Sequence, residues 1–131
     1  MDDLSYEIIG CAIDVHREIG PGLVESIYQT CMEREFQLNE IRYKSQMHMA
    51  VEYKGIVTDA FYRLDFLVED LIVVELKAIE VILPVHKSQL LTYMRLLKKP
   101  KGILLNFNCT NIFKEGQKTV VNKHYSELSP M

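Results

Sequence analysis

A chain of 131 residues can build one hydrophobic core and is short for two. At 48% hydrophobic, 25% charged and 9% aromatic, with three cysteines, it is neither a disordered tail nor a disulfide scaffold. The net charge of −3 divides unevenly: residues 1–70 carry 6 Lys/Arg against 14 Asp/Glu, and residues 71–131 carry 9 against 4.

Charge breaks every apolar run well short of the roughly 20 residues that cross a bilayer, so no membrane is expected. The start, Met1-Asp2-Asp3-Leu4, is acidic where a secretory signal needs positive charge, which points to a cytoplasmic protein. Cys11, Cys31 and Cys109 are odd in number and never form C-x-x-C; they read as buried small hydrophobes. Six basic residues after position 97 (Lys98, Lys99, Lys101, Lys114, Lys118, Lys123) suggest a local surface able to meet a polyanion, or simply a solvated one.

Without repeats or linkers, residues 1–131 read as a single domain. Ile8, Ile9, Ala12, Ile13, Val15 and Ile19 recur at helical spacing over about 4–19, and Gly20-Pro21-Gly22 ends that helix. A second helix is predicted over about 23–38, with Leu23, Ile27, Cys31 and Phe36 inward. Residues 42–53 and 56–68 read as a hairpin turning at Lys54-Gly55, and residues 71–77 as an apolar strand. Pro84 suits the first turn of a helix to about Leu97. Ile103 to Phe107 reads as a buried strand, and 112–125 as a short hairpin around Glu115-Gly116. The order ααβββαβ predicts an α/β sandwich around a mixed sheet.

The chemistry concentrates in residues 63–77. Side chains alternate across a strand, so Arg63 and Asp65 share a face, as do Glu75 and Lys77. If Val68 pairs with Ile72, Phe66 faces Val74 and Leu64 faces Leu76, all six covering one buried face. That register sets Asp65 opposite Glu75, with Cα atoms roughly 4.5–5.5 Å apart. Two adjacent carboxylates in an apolar sheet repel unless a cation lies between them. Oxygen-only ligation suits Mg²⁺ or Mn²⁺, which could activate water against a phosphodiester while Lys77 meets the developing charge. The plainer reading pairs Lys77 with Asp65 or Glu75 in a salt bridge. Arg63 would clamp a phosphate or pair with Glu75.

Asp65, a short hairpin, then Glu75-Leu76-Lys77 resembles the motif of the PD-(D/E)XK nuclease superfamily. Gln89-Leu90-Leu91-Thr92-Tyr93 is similar to the Q-x-x-x-Y helix of its RecB-like branch, and Gly22-Leu23-Val24-Glu25-Ser26-Ile27-Tyr28 resembles the signature of the GxxExxY family. The matches span about residues 5 to 123; Leu64 stands where the superfamily often has proline. The resemblance implies a restriction-endonuclease-like core. Asp65 and Glu75 would be metal-binding carboxylates, Lys77 the catalytic lysine, and Glu25 a further ligand. Gln89 and Tyr93 would support the site or touch phosphate; Tyr28 would contact substrate or pack on the sheet.

The expected function is hydrolysis of nucleic acid, DNA before RNA, with Mg²⁺ or Mn²⁺. Many enzymes of this architecture act as dimers, so a homodimer stays open. The alternative is a non-catalytic module that keeps the fold and binds nucleic acid or a protein. Lesser candidates are His16, read as a packing histidine, His86, set either near the site or in solvent, and Glu80, read as a cap for the next helix. Met32, Met47, Met49 and Met94 are read as core filling.

Overall fold

The computed structural model describes residues 1–122. Two helices, α1 (Asp2–Ile19) and α2 (Glu25–Leu38), precede the strands β1 (Tyr43–Tyr53), β2 (Ile56–Val68) and β3 (Ile72–Lys77). Helix α3 (Pro84–Leu97), β4 (Lys101–Asn106) and β5 (Gln117–Val121) follow. The sheet runs in the order β1-β2-β3-β4-β5; β3 and β4 are parallel, as the α3 crossover requires, and the other pairs are antiparallel.

Two apolar layers hold the sheet. On one face α1 and α2 cover Phe66, Val68, Ile72, Val74, Leu76, Ile103 and Leu105. On the other, α3 sets Leu90, Tyr93 and Met94 against Leu64, Leu67, Val73 and Leu104. Gly102 is what lets α3 lie close: a Cβ there would stand 2.7 Å from Met94 Sδ and 2.9 Å from Leu90 Cδ1. Met32 and Met94 are fully buried and Met49 nearly so, as core filling requires, whereas Met47 is half-buried against the α3-side layer.

Three local expectations change. The buried stripe of α2 is Tyr28-Met32-Phe36, at i, i+4, i+8, while Leu23 and Ile27 face solvent. Residues 112–121 form no hairpin of their own: one π-helical turn, Ile112–Gly116, returns the chain to pair β5 with β4. The part of that segment beyond 122 lies outside the described residues. Finally, Glu80 is exposed and does not cap α3; His86 does so, its Nδ1 accepting the Leu83 N–H at 2.9 Å.

The cysteines are free; Cys11 is buried, whereas Cys31 and Cys109 are only half-buried. Burial pushes the Cys11 thiol up to about 12, so it packs rather than reacts. His16 is a hydrogen-bonded packing residue, its Nε2 lying 2.8 Å from the Cys109 carbonyl.

Candidate active site

The β2–β3 register is the expected one where the strands pair: Val68 with Ile72, Leu67 with Val73, Phe66 with Val74. Beyond Phe66 the ladder stops, and the carboxylates take over the role of backbone carbonyls. Glu75 Oε1 accepts the Asp65 N–H at 2.9 Å, and Asp65 Oδ2 accepts the Leu76 N–H at 2.8 Å. Buried N–H groups left by the opened ladder need acceptors, and these two carboxylates supply them reciprocally.

The opening also breaks the alternation of β2. Gln46, opposite Asp65 in the β1 register, sits at φ +52°, and the regular pairing skips it between Ser45↔Phe66 and Met47↔Leu64. Leu64 therefore packs under α3 with Leu67, not on the face of Phe66 and Val68. The expected single apolar face of six is corrected to five, and Asp65 is released from both apolar layers into the break.

Burial raises the Glu75 carboxyl to about 8, and the charge of Asp65 adds to that, against the Asp65 N–H and Lys77. Asp65 is raised as well, by burial, with the Leu76 N–H, Gln46, Lys77 and Arg63 opposing. Lys77 makes no ion pair within 4.0 Å among the described residues, so the plain salt-bridge reading does not hold. The end of β3 is fixed otherwise. Lys77 O accepts the Phe107 N–H at 2.9 Å, and buried Asn106 clasps Ile79, donating to its carbonyl at 2.9 Å and accepting its N–H at 3.1 Å. Sequence reasoning missed Asn106; a polar residue closing the apolar run Ile103-Leu104-Leu105 was its signal.

Glu25, Ser26, Gln29, Gln46, Arg63, Asp65 and Leu76 line one open cavity of about 310 Å³. Glu25 begins α2 there, within electrostatic reach of Lys77, Asp65 and His86; burial is the main cause of its raised pKa. Arg63 is exposed beside Asp65 and makes no ion pair with Glu75. The Gln29 amide nitrogen is buried with no partner among the described residues, a donor in want of an oxygen. Nothing in the sequence distinguished Gln29 from other polar residues of α2.

Of the two readings of Tyr28, the structure shows packing. Tyr28 is fully buried and stacked on Phe107 at 4.3 Å, while its hydroxyl donates to the Gly20 carbonyl at 2.7 Å and accepts the Leu23 N–H at 3.2 Å. These bonds pin the turn in which Gly20 and Gly22 adopt φ of +71° and +95°, and so aim the start of α2, with Glu25, at the cavity. Tyr28→Phe keeps the stacking and loses both bonds. The expected result is a stability loss of about 1–2 kcal/mol by thermal melting.

On α3, Tyr93 is buried and within electrostatic reach of Glu75 and Asp65; burial lifts its phenol to about 12. Tyr93 is thus the α3 residue that the structure brings within reach of the carboxylates. Among the described basic residues after 97, two are held in ion pairs. Lys101 is buried against Asp2 at 3.1 Å and Lys99 pairs with Asp70 at 3.1 Å. Lys101 lies opposite Ile72, five positions from the Lys77–Asn106 end, roughly 16 Å along the strands. Lys123 lies outside the described residues.

The family model of the PD-(D/E)XK nuclease superfamily matches residues 2–120. A solved structure titled "Crystal structure of SSO0001" aligns at 21% identity and a TM-score of 0.53, over 74% of this chain and 49% of that one. The chain spans about half the length of that protein, and at this identity the likeness shows the fold alone. No curated protein matches the chain significantly.

Proposed function

The chain belongs to the PD-(D/E)XK nuclease superfamily, with its restriction-endonuclease-like α/β fold, and from that premise we propose that it is a divalent-metal-dependent nuclease of nucleic acid, DNA before RNA. What carries this reading is the reciprocal pair Asp65–Glu75: a half-buried and a buried carboxylate held at a break in the sheet, with Lys77 beside them and in no ion pair.

The residues fit a hard divalent cation. Both donors are oxygen, and one oxygen of each carboxylate takes a backbone N–H while the other is left for a ligand, apart from a long 3.4 Å contact from Gln46 to Asp65 Oδ1. Both pKa values are raised first by burial, and at Glu75 also by the charge of Asp65; a bound cation would offset both effects. Among the described residues no three His, Cys, Asp or Glu side chains gather as a shell. Asp65 and Glu75 would hold Mg²⁺ or Mn²⁺ as a pair, with Glu25, which lines the same cavity, joining them only on moving closer. When bound, the ion supplies Lewis acidity toward a phosphodiester and its attacking water.

The remaining roles belong to the chain. Lys77 places a positive charge where the phosphate gains negative charge, and the exposed Arg63 guanidinium binds a neighbouring phosphate. Gln89 and Tyr93 back the carboxylates, and Tyr28 aims Glu25. Gly22, Glu25 and Tyr28, with Gln89 and Tyr93, support assignment to the GxxExxY group of the RecB-like branch. No described helix is long and apolar enough to cross a membrane; the proposed setting is the cytoplasm, with a homodimer where both strands of a duplex are cut.

The test is incubation with single- and double-stranded DNA and RNA in Mn²⁺, Mg²⁺ or EDTA. Cutting in either metal, lost in EDTA, is expected. A folded protein that never cuts, yet binds nucleic acid equally well in EDTA, would instead be the non-catalytic module.

A further inference from the structure

The β1–β2 hairpin outruns the sheet. β3 pairs only with the last three residues of β2, so from Met47 and Leu64 outward the two strands run on toward Lys54-Gly55 without a third strand beside them, for roughly 25 Å. One side of this arm rests on α3, through Met49 in the core and Tyr62, whose ring lies 5.7 Å from that of Tyr93. Residues paired across strands share a face, and adjacent positions alternate, so His48↔Arg63 and Ala50↔Phe61 occupy the opposite, open side.

That open side begins at the candidate active site, because Arg63 lines the same cavity as Asp65 and Glu25. Directly across from Arg63 stands His48, and farther along the arm Phe61, the two ring centroids 6.3 Å apart and Phe61 66% exposed. A guanidinium followed by two rings, leading away from a phosphodiester-cutting pocket, offers one phosphate clamp and a stacking platform. Residues 47–63 carry Lys54 and Arg63 against Glu52 and Asp59, a net charge of zero. Diffuse attraction to a duplex backbone is therefore not what the arm supplies. Stacking needs bases that are free of a partner strand.

We propose that the open face of the β1–β2 arm, through Arg63, His48 and Phe61, binds an unpaired nucleic-acid strand and feeds it into the active-site cavity. The inference rests on the nuclease reading of that cavity. It identifies the substrate strand as single-stranded, or frayed, where it enters.

The test is fluorescence anisotropy with a labelled oligothymidylate at low salt in EDTA, so that nothing is cut, for wild type, Phe61→Ala and Arg63→Gln. Phe61 is exposed, so its loss leaves the fold intact. Phe61→Ala is expected to weaken binding roughly five- to hundredfold. Arg63→Gln should weaken it and flatten the salt dependence by about 0.7 in the log–log slope, the worth of one single-strand phosphate. A duplex should compete less well than the unpaired strand. Binding unchanged in Phe61→Ala, or equal competition by duplex, overturns the proposal. So does a wild-type dimer that Phe61→Ala splits into monomers, since the face would then serve self-association. If cutting requires metal while Phe61→Ala binds normally, the arm fails and the nuclease stands. If binding falls but no preparation ever cuts, the arm stands and the nuclease fails.

Discussion

Lys77→Ala should lower cleavage by about a hundredfold or more while the protein still folds. The fold tolerates the change because Lys77 makes no ion pair within 4.0 Å and no described carboxylate loses a direct partner with it. The strand end is held by backbone: the Lys77 carbonyl takes the Phe107 N–H, and Asn106 clasps Ile79, both independent of the lysine side chain. What is lost is a positive charge that acts on Glu25, Asp65 and Glu75 alike, lowering the pKa of each. Two routes to lost activity follow, and a Mn²⁺ titration separates them. If Lys77 serves the reacting phosphate, kcat stays low at saturating Mn²⁺. If it serves only to keep the carboxylates ionised, excess Mn²⁺ or higher pH restores the rate. Full activity in Lys77→Ala at ordinary Mn²⁺ would remove Lys77 from the mechanism.

Much of the frame was legible from pattern. The period of α1, the Lys54-Gly55 turn, Pro84 at the head of α3 and the Val68–Ile72 register all follow from alternation and turn chemistry, which are local. Requiring Leu64, Phe66, Val68, Ile72, Val74 and Leu76 to share a face brought Asp65 next to Glu75, although Leu64 packs in the other layer. What alternation could not show is how they meet. The pattern assumes an unbroken ladder, whereas the left-handed Gln46 and the carboxylate-to-backbone bonds interrupt it, sending Leu64 to the other layer.

The inward stripe of α2 differs from the expected one for a related reason. Ile27 looks like the core residue by hydropathy, but Tyr28 is the one whose hydroxyl can satisfy Gly20 and Leu23 while its ring stacks on Phe107. Contacts between residues far apart in sequence, such as Lys101 with Asp2, likewise removed basic residues from the surface that charge counting had given them.

Glu75→Gln should stabilise the metal-free protein at pH 8 while abolishing cleavage. The folded protein holds a proton on Glu75 up to about pH 8, because burial and the neighbouring Asp65 charge penalise the anion. Unfolded, the same carboxyl gives up its proton near the ordinary value of 4.5. Between those values the folded state binds more protons, so stability falls as pH rises from about 5 to 8 and then levels off. A shift of one unit corresponds to about 1.4 kcal/mol, so the penalty at pH 8 is on the order of a few kcal/mol, or roughly 10 °C in Tm. Gln keeps the oxygen that accepts the Asp65 N–H and cannot ionise, so its advantage should be small at pH 5 and largest at pH 8. Adding Mn²⁺ should reverse the order. The wild-type Tm rises with metal concentration at pH 8, because a cation bound only by the folded state adds its binding free energy. The variant, short of one anionic ligand, gains much less. Parallel melting curves for the two proteins across pH 5–8, with the same response to Mn²⁺, would mean that Glu75 is neither strained in the apo protein nor a ligand. On the proposed metal-binding reading the site trades stability without metal for a readiness to bind it, and that trade is measurable without any substrate.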